Sequence, residues 1–237
     1  MRSWIIAGLM AVGFCIAGFL SGCSRTADPP PAAGGAGGTG AAERGAPVAA
    51  QIGLGQFSGH TYTHDHFKLA VTLPDEWYIQ KKSESDQLAQ ASEAVLKQNA
   101  QGQAVRQAAQ QRTLTLVSAF RHPPGTPVPF NENLVILAEN MAFLPGLKEG
   151  QDYLKLAEKS LAALSIKYEV EPIETGFKIG SHPAARLRVH LHVADKIVEQ
   201  EQYAARFGDY FLLVLLSFGD DQQRDVLRGI LESLKAD

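Results

Sequence analysis

Cysteine is almost missing from this 237-residue chain: there are two, Cys15 and Cys23, and none beyond. Everything after Cys23 therefore lacks a disulfide and a thiol nucleophile. A one-sided charge is missing as well, with 22 basic against 25 acidic side chains and no basic stretch. That excludes the electrostatic footprint of a nucleic-acid binder. The common catalytic signatures are absent: no G-x-S-x-G elbow, no P-loop and no H-E-x-x-H. The chain is read as a non-enzyme, with no catalytic residues, no cofactor and no metal expected.

One apolar run approaches membrane-spanning length, Trp4 to Leu20, with Arg2 before it and no charge inside it. It is short for a spanning helix, which needs roughly 20 apolar residues. A basic start, an apolar centre and small residues at the cut fit a secretory signal peptide. Leu20-Ser21-Gly22-Cys23 resembles the bacterial lipobox. The resemblance implies cleavage before Cys23, diacylglycerol on its thiol, and residues 1–22 as the lipoprotein signal. Two or more acyl chains anchor stably where one does not. Ser24, where an Asp would favour inner-membrane retention, points to the outer membrane facing the periplasm. Removing residues 1–22 takes away one basic and no acidic residue, leaving a net charge of −4.

Residues 23–58 are dominated by Ala, Gly and Pro, including Pro29-Pro30-Pro31 and Gly34-Gly35-Ala36-Gly37-Gly38. Such a segment has too little bulky apolar surface to offset its ordering entropy, so it is expected to be a disordered tether. Its root-mean-square reach is about 30 to 35 Å. "GLGQFSG" at 53–59 lacks dinucleotide-binding spacing and is read as part of this linker.

Residues 59–237 are expected to form one α+β domain, an antiparallel β-sheet packed with helices. "HTYTHDHFKLAVTL" suggests two short strands with a turn near Asp65, and Trp77 returns to the core. A helix is predicted over 83–110, from its Ala/Gln/Glu content and a capping box at Ser83 and Asp86. Thr113–Phe120 alternates with Leu114, Leu116 and Phe120 on one face, and a strand through "LVILAENMAFL" follows. Helical spacing at Leu154, Ala157, Leu161 and Leu164 places a helix over 151–164. Tyr168 and Val170 point inward, as do Leu187, Val189, Leu191 and Val193, while Arg186, Arg188, His190 and His192 point out. "YFLLVLLSF" is apolar on both faces, as a covered central strand is. Asp220 and Gln223 cap a last helix whose buried stripe is Leu227, Ile230, Leu231 and Leu234.

Two histidine groups invite a metal reading. His60, His64 and His66 share a strand parity, but a turn at Asp65 would break their common face. If Asp195-Lys196 is a two-residue turn, His192 opposes Glu199, His190 opposes Glu201 and Arg188 opposes Tyr203. Ligands spread over a nearly flat sheet converge poorly on a tetrahedral ion, so cross-strand charge pairing is the expected role.

Three stretches, "FKLAVTLPDEW", "GSHPAARLRV" and "YFLLVLLSF", together with the order of elements, resemble the PsbP-like fold, which includes the DcrB family of bacterial envelope lipoproteins. The long Ala/Gln segment and the loop "RHPPGTPVP" depart from that pattern. The resemblance implies binding, scaffolding or assembly and carries over no catalytic set. The expected protein is therefore a membrane-anchored envelope lipoprotein, lipidated at Cys23, acting as a non-catalytic binding or assembly module. Its partners are the membrane, through the lipid, and an envelope protein met around the Pro-rich loop at 122–129, with a monomeric folded domain. The alternative is an envelope metal-binding protein or metallohydrolase that uses the histidine groups.

Overall fold

A computed structural model describes residues 48–81, 84, 111–161, 167–193 and 196–237. The signal segment, Cys23, most of the tether and nearly all of the helix expected over 83–110 lie outside them. Helix α1 (Val48–Ile52) leads into a three-stranded antiparallel sheet of β1 (Gln56–Ser58), β2 (Thr61–His64) and β3 (Leu69–Thr72). One 3-10 turn at Asp65–Phe67 separates β2 from β3.

The larger sheet contains β4 (Tyr78–Ile79), β5 (Thr113–Phe120), β6 (Asn133–Asn140), β7 (Lys167–Val170), β8 (Glu174–Ile179), β9 (His182–Val193), β10 (Lys196–Phe207) and β11 (Tyr210–Phe218). Its order is β4-β5-β6-β11-β10-β9-β7, all antiparallel, and β8 also pairs with β9. Every residue of β11 is buried, as its unbroken apolar run requires of a strand covered on both faces.

Side-chain alternation splits the core in two. Leu187, Val189, Leu191, Leu213 and Leu215 pack on one face against Tyr153, Leu154, Ala157 and Leu161 of helix α2 (Gly150–Leu161). On the other face Leu212, Val214 and Leu216 meet Leu69 and Val71 of the small sheet and Leu227, Ile230 and Leu231 of helix α3 (Asp221–Ser233). Helices on both sides of an antiparallel sheet make the α+β arrangement expected from the sequence. Asp220 caps α3 by accepting from the Gln223 amide at 2.9 Å, and the Gln223 side chain accepts from the Gly219 amide at 2.8 Å. The forward half of the expected cap is present, and the reverse bond is displaced by one residue, to the Gly219 amide instead of the Asp220 amide. Gly150 starts α2 directly above β10, where any Cβ would overlap the Ala204 carbonyl.

Three expectations are corrected. The packed part begins by Val48, which is 2 % exposed, and not at residue 59. "GLGQFSG" supplies β1, fixed by the Tyr62 hydroxyl donating to the Leu54 carbonyl at 2.8 Å. In β5 the register shifts between Thr115 and Val117, so Val117 and Ala119 join the core of Leu114 and Leu116 while Phe120 does not. A bulge inserts one residue, and one residue flips every later side chain. Among the described residues no helix is long and apolar enough to cross a membrane.

Candidate functional site: an arginine-caged glutamate beside a cleft

The β9–β10 hairpin pairs Val193 with Lys196, so His190 faces Glu199, Arg188 faces Glu201 and Arg186 faces Tyr203. The expected register, with Asp195-Lys196 as the turn, was two residues out. A slip of two keeps every side chain on its own face, so the outward set is unchanged.

That set does not lie in solvent throughout. Glu201 has 0 % exposure and Arg186 has 9 %. Arg188 Nη2 donates to Glu201 Oε1 at 2.9 Å and Arg186 Nη1 reaches the same oxygen at 3.3 Å. Arg228, from α3, closes the cage with Nε on Oε2 at 3.0 Å and Nη2 on Oε1. The Tyr203 hydroxyl donates to Oε2 at 2.7 Å. Burial pushes the Glu201 carboxyl up, but hydrogen bonds from Arg228, Tyr203 and Arg188 outweigh it and hold the group below the usual carboxylate range. Burial and the adjoining carboxylate push the Tyr203 phenol up to about 12. The Glu201 hydrogen bonds outweigh burial and raise Arg228, which stays charged.

Two further glutamates serve the outer arginines. Glu174 of β8 accepts from Arg186 Nη2 at 2.5 Å, and Glu171 accepts from Arg188 Nη1 at 3.2 Å. In place of the expected His192–Glu199 and His190–Glu201 pairs, the two histidines meet glutamates from the opposite neighbour. His190 Nε2 lies 3.2 Å from Glu171, and His192 Nε2 lies 3.1 Å from Glu169 of β7. The other histidine group is dispersed. His64 ends β2, buried, with Nε2 3.4 Å from the Gly53 carbonyl, while His66 sits in the 3-10 turn with its ring edge toward Tyr210. Among the described residues no three His, Cys, Asp or Glu side chains are grouped to hold a metal ion, so the metal alternative finds no site there.

Beside the caged glutamate opens a cleft of about 380 Å³. Phe177, Leu231 and Leu234 give it an apolar lining, Arg186 and Arg228 give it cations, and Lys178 of β8 lies at its edge. Its end is shaped by Gly180, at φ +58°, where a Cβ would strike the backbone of Ala236. The C-terminal residues stay there because Ser181 N donates to the Ala236 carbonyl at 2.9 Å and Lys235 bridges Ala70. The Phe177 ring lies under the Arg186 guanidinium at 4.7 Å.

The sequence did not single out Arg228, Glu174, Phe177 or Lys178. A signal for Arg228 existed: it follows Leu227 and sits three residues before Leu231, on the margin of the buried stripe. The Pro-rich loop is braced from within, since Asn131 accepts from the His122 amide at 2.9 Å and donates to its carbonyl at 2.8 Å. Lys196 Nζ also donates to the Pro129 carbonyl at 2.7 Å. Pro123, Pro124, Pro127 and Pro129 remain exposed.

No protein-family model and no curated protein matches the chain. Among solved structures it is similar to cyanobacterial PsbP (CyanoP) from Synechocystis sp. PCC 6803, at 12% identity over 78% of this chain and 99% of that one, with a TM-score of 0.47. It is also similar to LpqN of Mycobacterium tuberculosis, described as involved in cell envelope biogenesis, at 14% identity over 81% and 98%, TM-score 0.43. The Ran-binding protein Mog1p of Saccharomyces cerevisiae is similar at 6% identity over 70% and 88%, TM-score 0.39. These likenesses concern the course of the chain and say nothing of ligand or partner.

Proposed function

We propose that this is a bacterial envelope lipoprotein, anchored through lipid on Cys23, whose folded domain is a non-catalytic module for binding or assembly. The observation that carries the reading is the cleft and the cage behind it. A general acid or base works best with a pKa near the operating pH. Here the carboxylate is held down and the phenol and guanidinium are held up, so each keeps one charge state at neutral pH. Such groups offer a visitor a fixed field and a shaped apolar lining, the makings of recognition and not of proton transfer. The tether then supplies position, raising the effective concentration of the domain near membrane partners.

The test uses the full chain in native membranes, with photo-crosslinking residues placed at Glu232 on the cleft rim, at Thr126 in the Pro-rich loop, and within residues 29–47. Adducts from Glu232 or Thr126 are expected, together with fatty-acid labelling that Cys23→Ser abolishes. Adducts from the tether alone, lost when its sequence is shuffled, would make the tether the binding element and overturn the reading. Labelling that survives Cys23→Ser would overturn the anchor.

A further inference from the structure

Residues 48–58 form a strap that leads from the expected tether onto the domain, and its hold there is light. Val48 is buried and Ile52 packs partly against the core, but all of β1 is exposed. Its polar fastenings come from the strands beneath. The Tyr210 hydroxyl donates to Gln51 Oε1 at 2.9 Å, and the Tyr62 hydroxyl donates to the Leu54 carbonyl at 2.8 Å. Between them, His64 Nε2 lies 3.4 Å from the Gly53 carbonyl. Gly55 lets the strap lie close on β2, since a Cβ there would overlap the Tyr62 hydroxyl and the Thr63 carbonyl. Segments held by few apolar contacts and exposed backbone bonds are the first to open.

Of these fastenings, His64 changes charge near neutrality. Its ring is 1 % exposed and lies 5.0 Å from that of Phe67. A carbonyl only accepts, so the hydrogen on Nε2 points at Gly53 and Nδ1 is left bare. Nδ1 is buried with no hydrogen-bond partner among the described residues. A proton added there would make a charged donor with nothing to receive it, in a site closed to water. Burial accordingly holds the imidazole below its ordinary 6.5, against the smaller upward pull of the Gly53 carbonyl. Asp65 and His66 of the following turn act on it in opposite directions, and both are exposed. Lys68, also exposed, closes that turn. From β11 the Tyr210 phenol packs on Phe67, and from β9 His182 stands one ring further off, behind Phe207. The strap itself contains no ionisable side chain.

We infer that His64 is a pH latch on the N-terminal strap: the neutral ring holds residues 48–58 on β2, and protonation of Nδ1 releases them while the rest of the domain stays folded. Gly53 lies between the fastenings at Gln51 and Leu54, so freeing it loosens both. The sign follows from linkage. An opened strap lets the ring take a proton at its ordinary pKa, whereas a closed strap resists, so closure is favoured above about pH 6.5 and opening gains as pH falls below it. On the anchor reading above, release adds residues 48–58 to the leash, about 36–40 Å when fully extended.

Amide exchange on the full-length chain in detergent tests the latch, with protection factors corrected for the intrinsic effect of pH. From pH 7 to pH 5, protection in residues 51–58 should fall at least about threefold. The ceiling is about 25-fold, the limit for one group that titrates at 6.5 when open. Amides of α2 should keep their protection. His64→Gln retains an N–H for Gly53 and cannot titrate, so its strap should respond to pH by less than about twofold. His64→Phe, a second non-titrating side chain that keeps a ring, should give the same flat response from a lower starting protection. His66→Gln, in the exposed turn, should leave the parent's response in place. Protection that ignores pH in the parent, a response that survives both His64 variants or vanishes in His66→Gln, or an equal loss in α2 would overturn the latch. The anchor is judged separately by labelling at Cys23, so either can fail without the other.

Discussion

On the α2 face of the β9–β10 hairpin, Gln202 donates to Gln200 at 2.7 Å and Gln200 donates to Ser217 at 3.1 Å. On the α3 face of β10, the residue between those two glutamines is Glu201, an ionised carboxylate gripped by three guanidiniums. The glutamines, Ser217, Glu201 and Arg186 are buried, while the Arg188 and Arg228 side chains keep 20% and 29% exposure, all within one hairpin and the strand and helix beside it. The first set is neutral and handed along, so each bond concerns two neighbours. The second converges on one group, and every member depends on it. A neutral hydrogen bond contributes about 0.5–1.5 kcal/mol net, whereas removing one partner of a buried charge costs about 3–5 kcal/mol because the others are left uncompensated. The same strand therefore carries one forgiving face and one unforgiving face, and the cleft is on the unforgiving one.

The largest effect should come from Glu201→Gln, which keeps the shape and removes the charge. We expect a loss of about 3–5 kcal/mol in urea unfolding. Its acid limb should change as well. The folded carboxyl titrates below its ordinary value of 4.5, so its contribution is present above that value and fades as pH falls through the depressed one. The variant should accordingly lose less stability than the parent as pH falls below about 4.5. A loss under about 1 kcal/mol would mean that the arginines find water instead and that the cage is not dry.

Gln202→Ala should rank second, at about 1–3 kcal/mol, since it leaves the Gln200 carbonyl oxygen buried without its donor. Chemical denaturation of the two variants side by side decides whether the faces differ. A cost equal to that of Glu201→Gln would dissolve the distinction between a relay and a convergent cage.

Much of this was legible in the sequence, and the failures have physical causes. The two-residue period fixed which side chains of β9 and β10 share a face, and the Asp220–Gln223 pair announced the start of α3. Register was not legible, because the two turn choices differ by two residues and preserve the same faces. The cage was read as a wet face because its near end is wet: His192 and Glu199 are half-buried or more open. Along that face of β10 the chain runs Glu199, Glu201, Tyr203, Ala205, Phe207, from charged to apolar. Along β9 it runs His192, His190, Arg188, Arg186, Ala184 in the same direction. The gradient marks where α3 begins to cover the sheet, and Glu201 and Arg186 fall inside that boundary. What no single strand could show was Arg228, which arrives from 27 residues away. The bulge in β5 was hidden for a similar reason, since Leu114 to Phe120 is apolar enough to fit either face.

The wet end of that gradient supplies the smallest predicted effect. His192 and Glu169 are paired at 3.1 Å, but their side chains are 26% and 61% exposed. Water competes for both, and neither would be stranded if the other were removed. A double-mutant cycle with His192→Gln and Glu169→Gln should give a coupling of about 0.2–1 kcal/mol. Added salt should reduce it further, because an exposed pair is screened. Repeating the cycle on Arg188 and Glu171, one step inward at 20% and 36% exposure, should give a larger and less salt-sensitive value. If instead the outer pair matched the inner one and ignored salt, the dry boundary would lie beyond His192. The two His–Glu pairs would then belong to the cage, and the cleft would be only one end of a longer buried ionic row.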